Sequence, residues 1–559
     1  MDQWYLDYGE PSWRETALDY VENKLNTYGA DCRHAFVGVL NWLNQWACAR
    51  TYGLGSKLPW DPTFLVESLS DSTIYMSYYT IAHMLHKDLF GREKGTMNVG
   101  PEQMIDEVWD YIFCRADISD ELIEKSKISR EALESMRRSF EYWYPMDLRV
   151  SGKDLIPNHL TFCLYNHIAL FPKEFWPQGI RANGHLMLNG EKMSKSTGNF
   201  MTLDDVVKKY SADAARIALA DAGDAIQDAN FEEDVADAAV LRLFNNKEWC
   251  EDMVKDADLR TGKLNDFQDG LFDNEMNALV REARKHYEAT DYKLALKASY
   301  YDFTNARDFY REACNAAGIK MHKDLVLKYI ELQALVLAVI TPHWSEYIWL
   351  EVLKKPVTIQ NTLFPDVPAA NPGLTAAREY VRTTASNINS AESKQQKQMA
   401  KGKQGTFNPS KPKKLTVFVT EKFPAWQEKY IDLMRENWDV ESNTQKVDDK
   451  ELNGRIAKMG EMKKAMPFVQ NLKRRLRDGE PVSSVLERKL AFDEKKTLIA
   501  MVPGLKRTAG LVAVDVVEVQ EGSKKGVELV SGTEVEIKAP NADAAVPGNP
   551  TFFFENIEA

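Results

Sequence analysis

The chain has 559 residues, 44% hydrophobic and 28% charged, and 71 Lys+Arg against 83 Asp+Glu leave a net charge of −12. That composition can build large apolar cores, so wholesale disorder is excluded; the acidic balance excludes a simple basic nucleic-acid binder, which needs clustered positive charge. Six cysteines with no Cys-x-x-Cys pair exclude a disulfide scaffold and read as reduced thiols of a cytosolic or nuclear chain.

Residues 1–10 lack the basic stretch and apolar run of a targeting segment. The first 200 or so residues mix short apolar runs with Gly, Pro and Asp, the pattern of strands alternating with helices. Residues 146–150 read as a strand that enters a loop at 151–157, followed by a helix over 158–170. Residues 203–353 change to long helical patterns. There Tyr292, Leu296, Tyr300, Phe303, Ala306 and Tyr310 recur at spacings of three and four, which places them on one helix face. Several such helices in series predict an antiparallel bundle. The most apolar run, 325–340, carries Lys328, Glu331 and Gln333 and is too short to cross a bilayer, so it reads as a buried helix and no membrane association is expected.

A Pro-, Ala- and Asn-rich boundary falls at 365–373. Seven lysines between 394 and 414 then read as a solvated basic tether. Order resumes with a strand at 415–420, a basic helix at 462–477, and β-like runs at 511–519 and 527–537. The expected divisions are 1–202, 203–364, a linker over 365–414, and a small α/β appendage over 415–559.

The segment that carries chemistry is Gly190-Glu-Lys-Met-Ser-Lys-Ser-Thr-Gly-Asn199. Lys, Ser, Gly and Asn all favour an exposed turn. The same segment suits a phosphate site, with two lysines three apart, hydroxyls between them, and a glycine that lets backbone approach.

Lys192-Met193-Ser194-Lys195-Ser196 resembles the KMSKS motif of class I aminoacyl-tRNA synthetases. Arg181-Ala-Asn-Gly-His185 before it and Ser211-Ala-Asp-Ala-Ala-Arg216 after it are similar to that class as well. So are Arg50-Thr-Tyr-Gly-Leu-Gly55, Glu67-Ser-Leu-Ser-Asp-Ser-Thr-Ile-Tyr75, Asp147-Leu-Arg-Val-Ser-Gly-Lys-Asp154 and Thr341-Pro-His-Trp-Ser-Glu346, here to the leucyl-tRNA synthetases of the eukaryotic cytosolic type. The resemblance implies a Rossmann-like α/β catalytic remainder, an all-α anticodon-binding helical bundle and a small α/β C-terminal appendage, in the cytoplasm.

The resemblance also implies an activity: ATP-dependent conversion of leucine to leucyl-adenylate, then transfer to tRNA-Leu, with Mg2+ arriving on the nucleotide. Lys192 and Lys195 would face the charge that builds on the phosphoryl oxygens, with Ser194 and Ser196 as donors beside them. Gly152, Asp154 and His159 match positions where the class contacts adenosine. Asp154 equally suits a turn or cap, and His159 an ordinary residue at a helix start. Glu67, Asp71, Ser72 and Tyr75 resemble the family's amino-acid pocket, although such residues also serve as plain packing or hydrogen-bonding groups. Lys473, Arg474, Arg475 and Arg477 on the basic helix are the candidate tRNA contacts, a solvated face being the other reading.

The His-x-Gly-His motif that such enzymes pair with KMSKS does not occur. The nearest pair, His83-Met-Leu-His86, lacks the glycine and reads as structural, and no metal site is expected. The chain is therefore expected to be the C-terminal half of a synthetase, partnered by an N-terminal half and incomplete for adenylation alone. The alternative is a catalytically incomplete tRNA- or protein-binding module.

Overall fold

The computed structural model describes residues 3–557 except 266, 402–406, 409, 440, 441, 443, 461, 479, 481, 509, 510, 521, 538 and 540. The chain divides into two units, residues 1–241 with 286–293, and residues 242–285 with 294–559.

In the first unit, helix α1 (Pro11–Asn23) starts on a proline, and the Glu10 carboxylate accepts from Trp13 N at 2.7 Å. That fills an otherwise orphaned helix-terminal donor. Helix α2 (Ala30–Trp42) follows. Helix α3 (Arg130–Trp143) is capped by Ser129 and buries Ala132, Leu133, Met136 and Phe140 at helical spacing. These pack with Tyr8, Phe36, Phe162 and Tyr165 in a core where Tyr8 stacks on Phe162 with centroids 4.9 Å apart.

Strand β1 (Arg149–Gly152) leads through a π-helical turn at Ile156–Leu160 into α4 (Thr161–Leu170), which returns the chain to β2 (Ile180–Asn183). The two strands pair in parallel, Arg149 opposite Ile180 and Gly152 opposite Asn183. This is a strand–helix–strand unit with its helix buried, as a parallel pair requires. A second small sheet holds β3 (Leu186–Leu188), β4 (Glu191–Lys192) and β5 (Ala229–Phe231), in the order β5-β3-β4. Strand β5 runs parallel to β3, and β4 antiparallel to it. Between them lies α5 (Leu203–Ala222), opened by a Thr202–Asp205 capping box and broken at Ser211, whose φ is 73°. Among the described residues no sheet of this unit exceeds three strands.

Helix α6 (Glu233–Lys255) leads onward. The second unit gathers α7 (Gln268–Glu288), α8 (Phe303–Ala316) and α9 (Lys323–Leu337). Phe272 stacks on Tyr310 at 4.3 Å, and the buried Asp269 accepts from Arg260 at 2.6 Å and from Tyr310 Oη at 2.5 Å. A π-helical turn at Lys297–Asp302 precedes α8. Leu296, Tyr300, Phe303, Ala306 and Tyr310 are buried as their spacing predicts, whereas Tyr292 is partly exposed.

The solvated linker expected over 365–414 is corrected by α10 (Pro372–Ala400), a 29-residue helix. Its Tyr380, Val381 and Ile388 are buried in a core shared with Leu415, Val417 and Leu498. Lys413, read from sequence as part of the tether, is buried and ion-paired with Glu392, and Lys414 pairs with Asp515 at 2.5 Å. Residues 402–406 and 409 of the expected tether lie outside the described residues. Gln and Lys had masked the apolar face of this helix, which recurs too sparsely to stand out from composition.

The C-terminal part carries β6 (Lys413–Val419), α11 (Ala425–Glu436), α12 (Asp449–Met459), α13 (Met462–Arg477), α14 (Glu494–Thr508), β7 (Ala513–Glu518), β8 (Lys525–Glu528), β9 (Glu534–Glu536) and β10 (Thr551–Asn556). The sheet order is β9-β8-β7-β6-β10, with β6 and β7 parallel and the other neighbours antiparallel. The run read at 527–537 is not one strand. It straddles the turn between β8 and β9, where Gly532 adopts a φ of 70°. Helices α11, α12 and α13 enclose a separate apolar cluster around Tyr430, Ile431, Leu452 and Val469.

Candidate functional site

The KMSKS segment begins on β4 and is presented by a tight hairpin. Asn189 and Gly190 take positive φ values of 50° and 83°, the geometry that lets β3 fold directly back as β4. Beyond Lys192 the loop closes on itself. Ser194 N donates to Asn199 O at 2.9 Å, Asn199 Nδ2 donates to Lys192 O at 3.3 Å, and the Ser194 and Ser196 hydroxyls lie 2.8 Å apart. Lys192 and Lys195 are exposed, and neither side chain makes an ion pair among the described residues. Two uncommitted ammonium groups on a closed loop are suited to an anionic ligand.

The base of the hairpin is tied to the end of β1. His185 Nε2 lies 2.7 Å from Asp154 Oδ2, His185 N donates to Asp228 Oδ1 at 2.8 Å, and Lys153 Nζ donates to the same oxygen at 2.6 Å. The Lys153 ammonium, with the His185 amide, holds the Asp228 carboxyl below its usual range. Gly152 ends β1, and a Cβ added there meets nothing within 4 Å, so neighbouring atoms do not demand its glycine.

A second group forms at the start of α4. His159 is buried, with Nδ1 3.2 Å from Ser72 Oγ and Nε2 3.3 Å from Arg149 Nη2. Since Arg149 can only donate, Nε2 accepts and the proton belongs on Nδ1, pointing at Ser72, whose own hydroxyl donates to Leu69 O at 3.2 Å. Burial, reinforced by the Arg149 charge, pushes the imidazole's pKa down and keeps it neutral. Arg149 Nη2 also donates to Tyr75 Oη at 2.6 Å, and the Tyr75 ring lies nearly parallel to His159. Nε of Arg149 is buried with no hydrogen-bond partner among the described residues.

Glu67 caps the short helix Ser68–Asp71, accepting from Leu69 N at 3.0 Å, Ser70 N at 3.1 Å and Trp46 Nε1 at 3.1 Å. Burial alone would raise its carboxyl; these donors outweigh burial and hold it ionised below the usual range. Ser72, Tyr75 and His159 are therefore one bonded group with Arg149, while Glu67 braces the helix leading into it. Asp71 is exposed and its side chain makes no bond to this group among the described residues.

Sequence reasoning missed Arg149, His185 and Asp228. Arg149 and His185 lie inside the quoted motif stretches, and strand pairing is what joins them to the rest. Asp228 had no signal, since its role depends on β5 returning beside β3. His83 and His86 do not face each other as ligands; His86 instead bonds Tyr78 Oη at 3.0 Å and Asp88 O at 2.9 Å.

The basic helix α13 differs from its sequence reading. Lys473 is not a surface cation: its side chain is 1% exposed and ion-paired with Asp449. Arg475 is engaged by Glu480 at 2.6 Å. The cause is amphipathic. Lys473 follows Leu472 on the face that carries Ala465, Val469 and Leu476 into the core, which leaves Arg474 and Arg477 outward.

Comparison with known proteins defines the class first. A family model described as "tRNA synthetases class I (M)" matches residues 121–250, and one described as "Anticodon-binding domain of tRNA ligase" matches 269–406. A third, "Leucine--tRNA ligase, RagD-binding domain", matches 419–488. The chain joins a class I synthetase catalytic-type fold to an anticodon-binding domain. The cytoplasmic leucine--tRNA ligase of Neurospora crassa is 71% identical over 562 residues, covering 100% of this chain and 50% of the relative. The cytoplasmic enzyme of Saccharomyces cerevisiae is 49% identical and that of Arabidopsis thaliana 38%, covering 100% and 99% of this chain and 50% of each relative. Over its whole length the chain is similar to cytoplasmic leucine--tRNA ligases. It spans about half the length of the curated relatives it matches.

Proposed function

We propose that this chain supplies the KMSKS half of a cytoplasmic leucine--tRNA ligase, in which leucine and ATP give leucyl-adenylate and the leucyl group passes to tRNA-Leu. The observation that carries the reading is the self-closed loop at 192–199, with two unpaired lysines, anchored on the strand–helix–strand unit. Lys195 and Lys192 stabilise the negative charge that develops on the α-phosphate oxygens and the departing pyrophosphate. Ser194 and Ser196 offer hydroxyl donors beside them. Gly152 leaves room for close approach at the end of β1, and Asp154 with His159 shape the adjoining nucleoside side. Mg2+ travels with the triphosphate, whose oxygens are its ligands. Ser72 and Tyr75, held by His159 and Arg149, form the wall of the leucine pocket, with Glu67 bracing it and Asp71 at its exposed rim.

Leucine-dependent ATP–pyrophosphate exchange tests the proposal. The chain alone is expected at background, and mixing it with the N-terminal half of the Neurospora relative is expected to restore exchange. Lys195→Ala in the mixture should lower the rate about 10- to 100-fold, as loss of a charge-assisted bond to a developing anion would. Robust exchange by the chain alone would overturn the incompleteness, and an unchanged Lys195→Ala rate would overturn the role of the loop.

A second reading concerns residues 419–488 only. The match to a domain model named for RagD binding, together with the buried Lys473, favours a protein-binding role for the α11–α13 cluster. On the tRNA reading, Arg474 and Arg477 are the exposed cations left to contact phosphate.

A further inference from the structure

The second unit contains a cavity of about 140 Å3 that the proposed reaction does not use, lined by α7, α8, α10 and α14 and partly open to solvent. Its walls are apolar, with Leu271, Phe309, Met501 and Leu505 among them, and small residues such as Ala313 leave the space open. Three charged side chains reach this lining: Arg378, its ion-pair partner Glu275, and Glu312, which is exposed and pairs outward with Arg311 at 3.4 Å. Arg378 is 13% exposed on its side chain, and its guanidinium lies 3.6 Å from the centroid of the Phe309 ring. Its Nε donates to Glu275 at 2.8 Å, and its Nη1 is buried with no hydrogen-bond partner among the described residues.

A buried cationic donor left unmade is costly, more so than a neutral one. One carboxylate oxygen of Glu275 meets only one nitrogen of a guanidinium built to engage two acceptors. The remaining donor is buried on a residue that lines the cavity, and away from bulk water an anionic acceptor is worth more than in it. The volume matches a single ring or a branched aliphatic group, since an apolar cavity of roughly 150 Å3 admits benzene. Apolar walls with one unsatisfied cationic donor are also the general composition of a small-molecule site.

We infer that this cavity is a binding site for a small apolar monocarboxylate, its hydrocarbon body among Leu271, Phe309, Met501 and Leu505 and its carboxylate on Arg378. The site is distinct from the KMSKS loop and does not depend on the aminoacylation reading. Because α14 belongs to the C-terminal part and α7 and α8 to the helical bundle, an occupant fastens the two together. Ligand binding to the folded form alone then raises the stability of that contact.

The test is calorimetric titration of the full chain with benzoate and with 4-methylpentanoate, toluene serving as the uncharged control. Both carboxylates should bind one per chain, at least tenfold tighter than toluene, and slow hydrogen exchange in α7 and α14. The double variant Glu275→Gln/Arg378→Met, which leaves no orphan charge, should lose that tenfold preference while still binding toluene, which shows the cavity intact. Ala313→Leu should abolish binding of all three. No heat and no exchange protection with either carboxylate at concentrations on the order of 10 mM would overturn the inference. So would carboxylate affinity unchanged in the double variant.

Discussion

His167 gives the clearest residue-scale consequence in the first unit. It is fully buried on α4, Nδ1 bonding Cys163 O at 2.8 Å and Nε2 meeting Tyr144 Oη at 3.0 Å. Burial pushes its pKa down to about 4, against an ordinary value near 6.5. The unfolded chain therefore takes up a proton as pH falls below about 6.5, and the folded chain does not until about 4. The stability this residue contributes is present in full above that range and is lost on acidification, by about 3 kcal/mol between pH 6.5 and 4. Hydrogen exchange of the α4 amides should follow that loss. In His167→Phe, which carries no titrating group, the gap to the parent at pH 7 should shrink toward pH 4. A gap constant with pH would refute the assignment. The same sign holds for His159, whose lowered pKa keeps it an acceptor for Arg149.

Helix α13 shows what a single helical register decides. Four cations at 473, 474, 475 and 477 look equivalent in composition, yet they divide into one buried, one paired and two exposed. Lys473→Glu would place a second negative charge beside Asp449 inside the α11–α13 cluster. It should cost about 3–5 kcal/mol, the scale of a buried charge left uncompensated. Arg474→Glu should stay within about 0.5 kcal/mol of the parent, as exposed substitutions do. Urea unfolding followed by the fluorescence of Trp438, buried in this cluster, distinguishes the two. Equal effects would contradict the placement of Lys473. This division was not legible from local charge, because it depends on which stripe of the helix meets its neighbours.

Helix α10 was missed for a related reason. Its Lys and Gln content resembles a solvated linker, and only the buried Tyr380, Val381 and Ile388 mark the packed face. Strand β1, helix α4 after it and the apolar α9 were all legible, because their apolar patterning is regular. At the candidate site, single residues were legible from motifs. Their groupings were not: Arg149 with Tyr75 and His159, and His185 with Asp154 and Asp228, arise from strand pairing and loop return.

At the scale of the molecule, the charge of −12 is a whole-chain average that does not describe the outer face of α13, where Arg474 and Arg477 are exposed. On the tRNA reading, Arg474→Glu with Arg477→Glu should weaken tRNA-Leu binding and reduce the slope of log affinity against log salt by roughly 1 to 2. Affinity and slope unchanged across a salt series would overturn the tRNA reading of this helix. An acidic chain gains from such localisation, because nonspecific attraction to other polyanions stays low while a few fixed cations act at short range.

The hairpin at Asn189 and Gly190 and the bond between Ser194 N and Asn199 O have a thermodynamic consequence. Fixing one residue's backbone costs about 1–2 kcal/mol of entropy. A loop already closed on itself has met most of that cost during folding, so the arriving anion need not order residues 193–199. The affinity of the two lysines is then diluted by few alternative shapes of the loop. Asn199→Gly would leave every positive charge in place and still weaken phosphate binding, by returning the loop to many conformations.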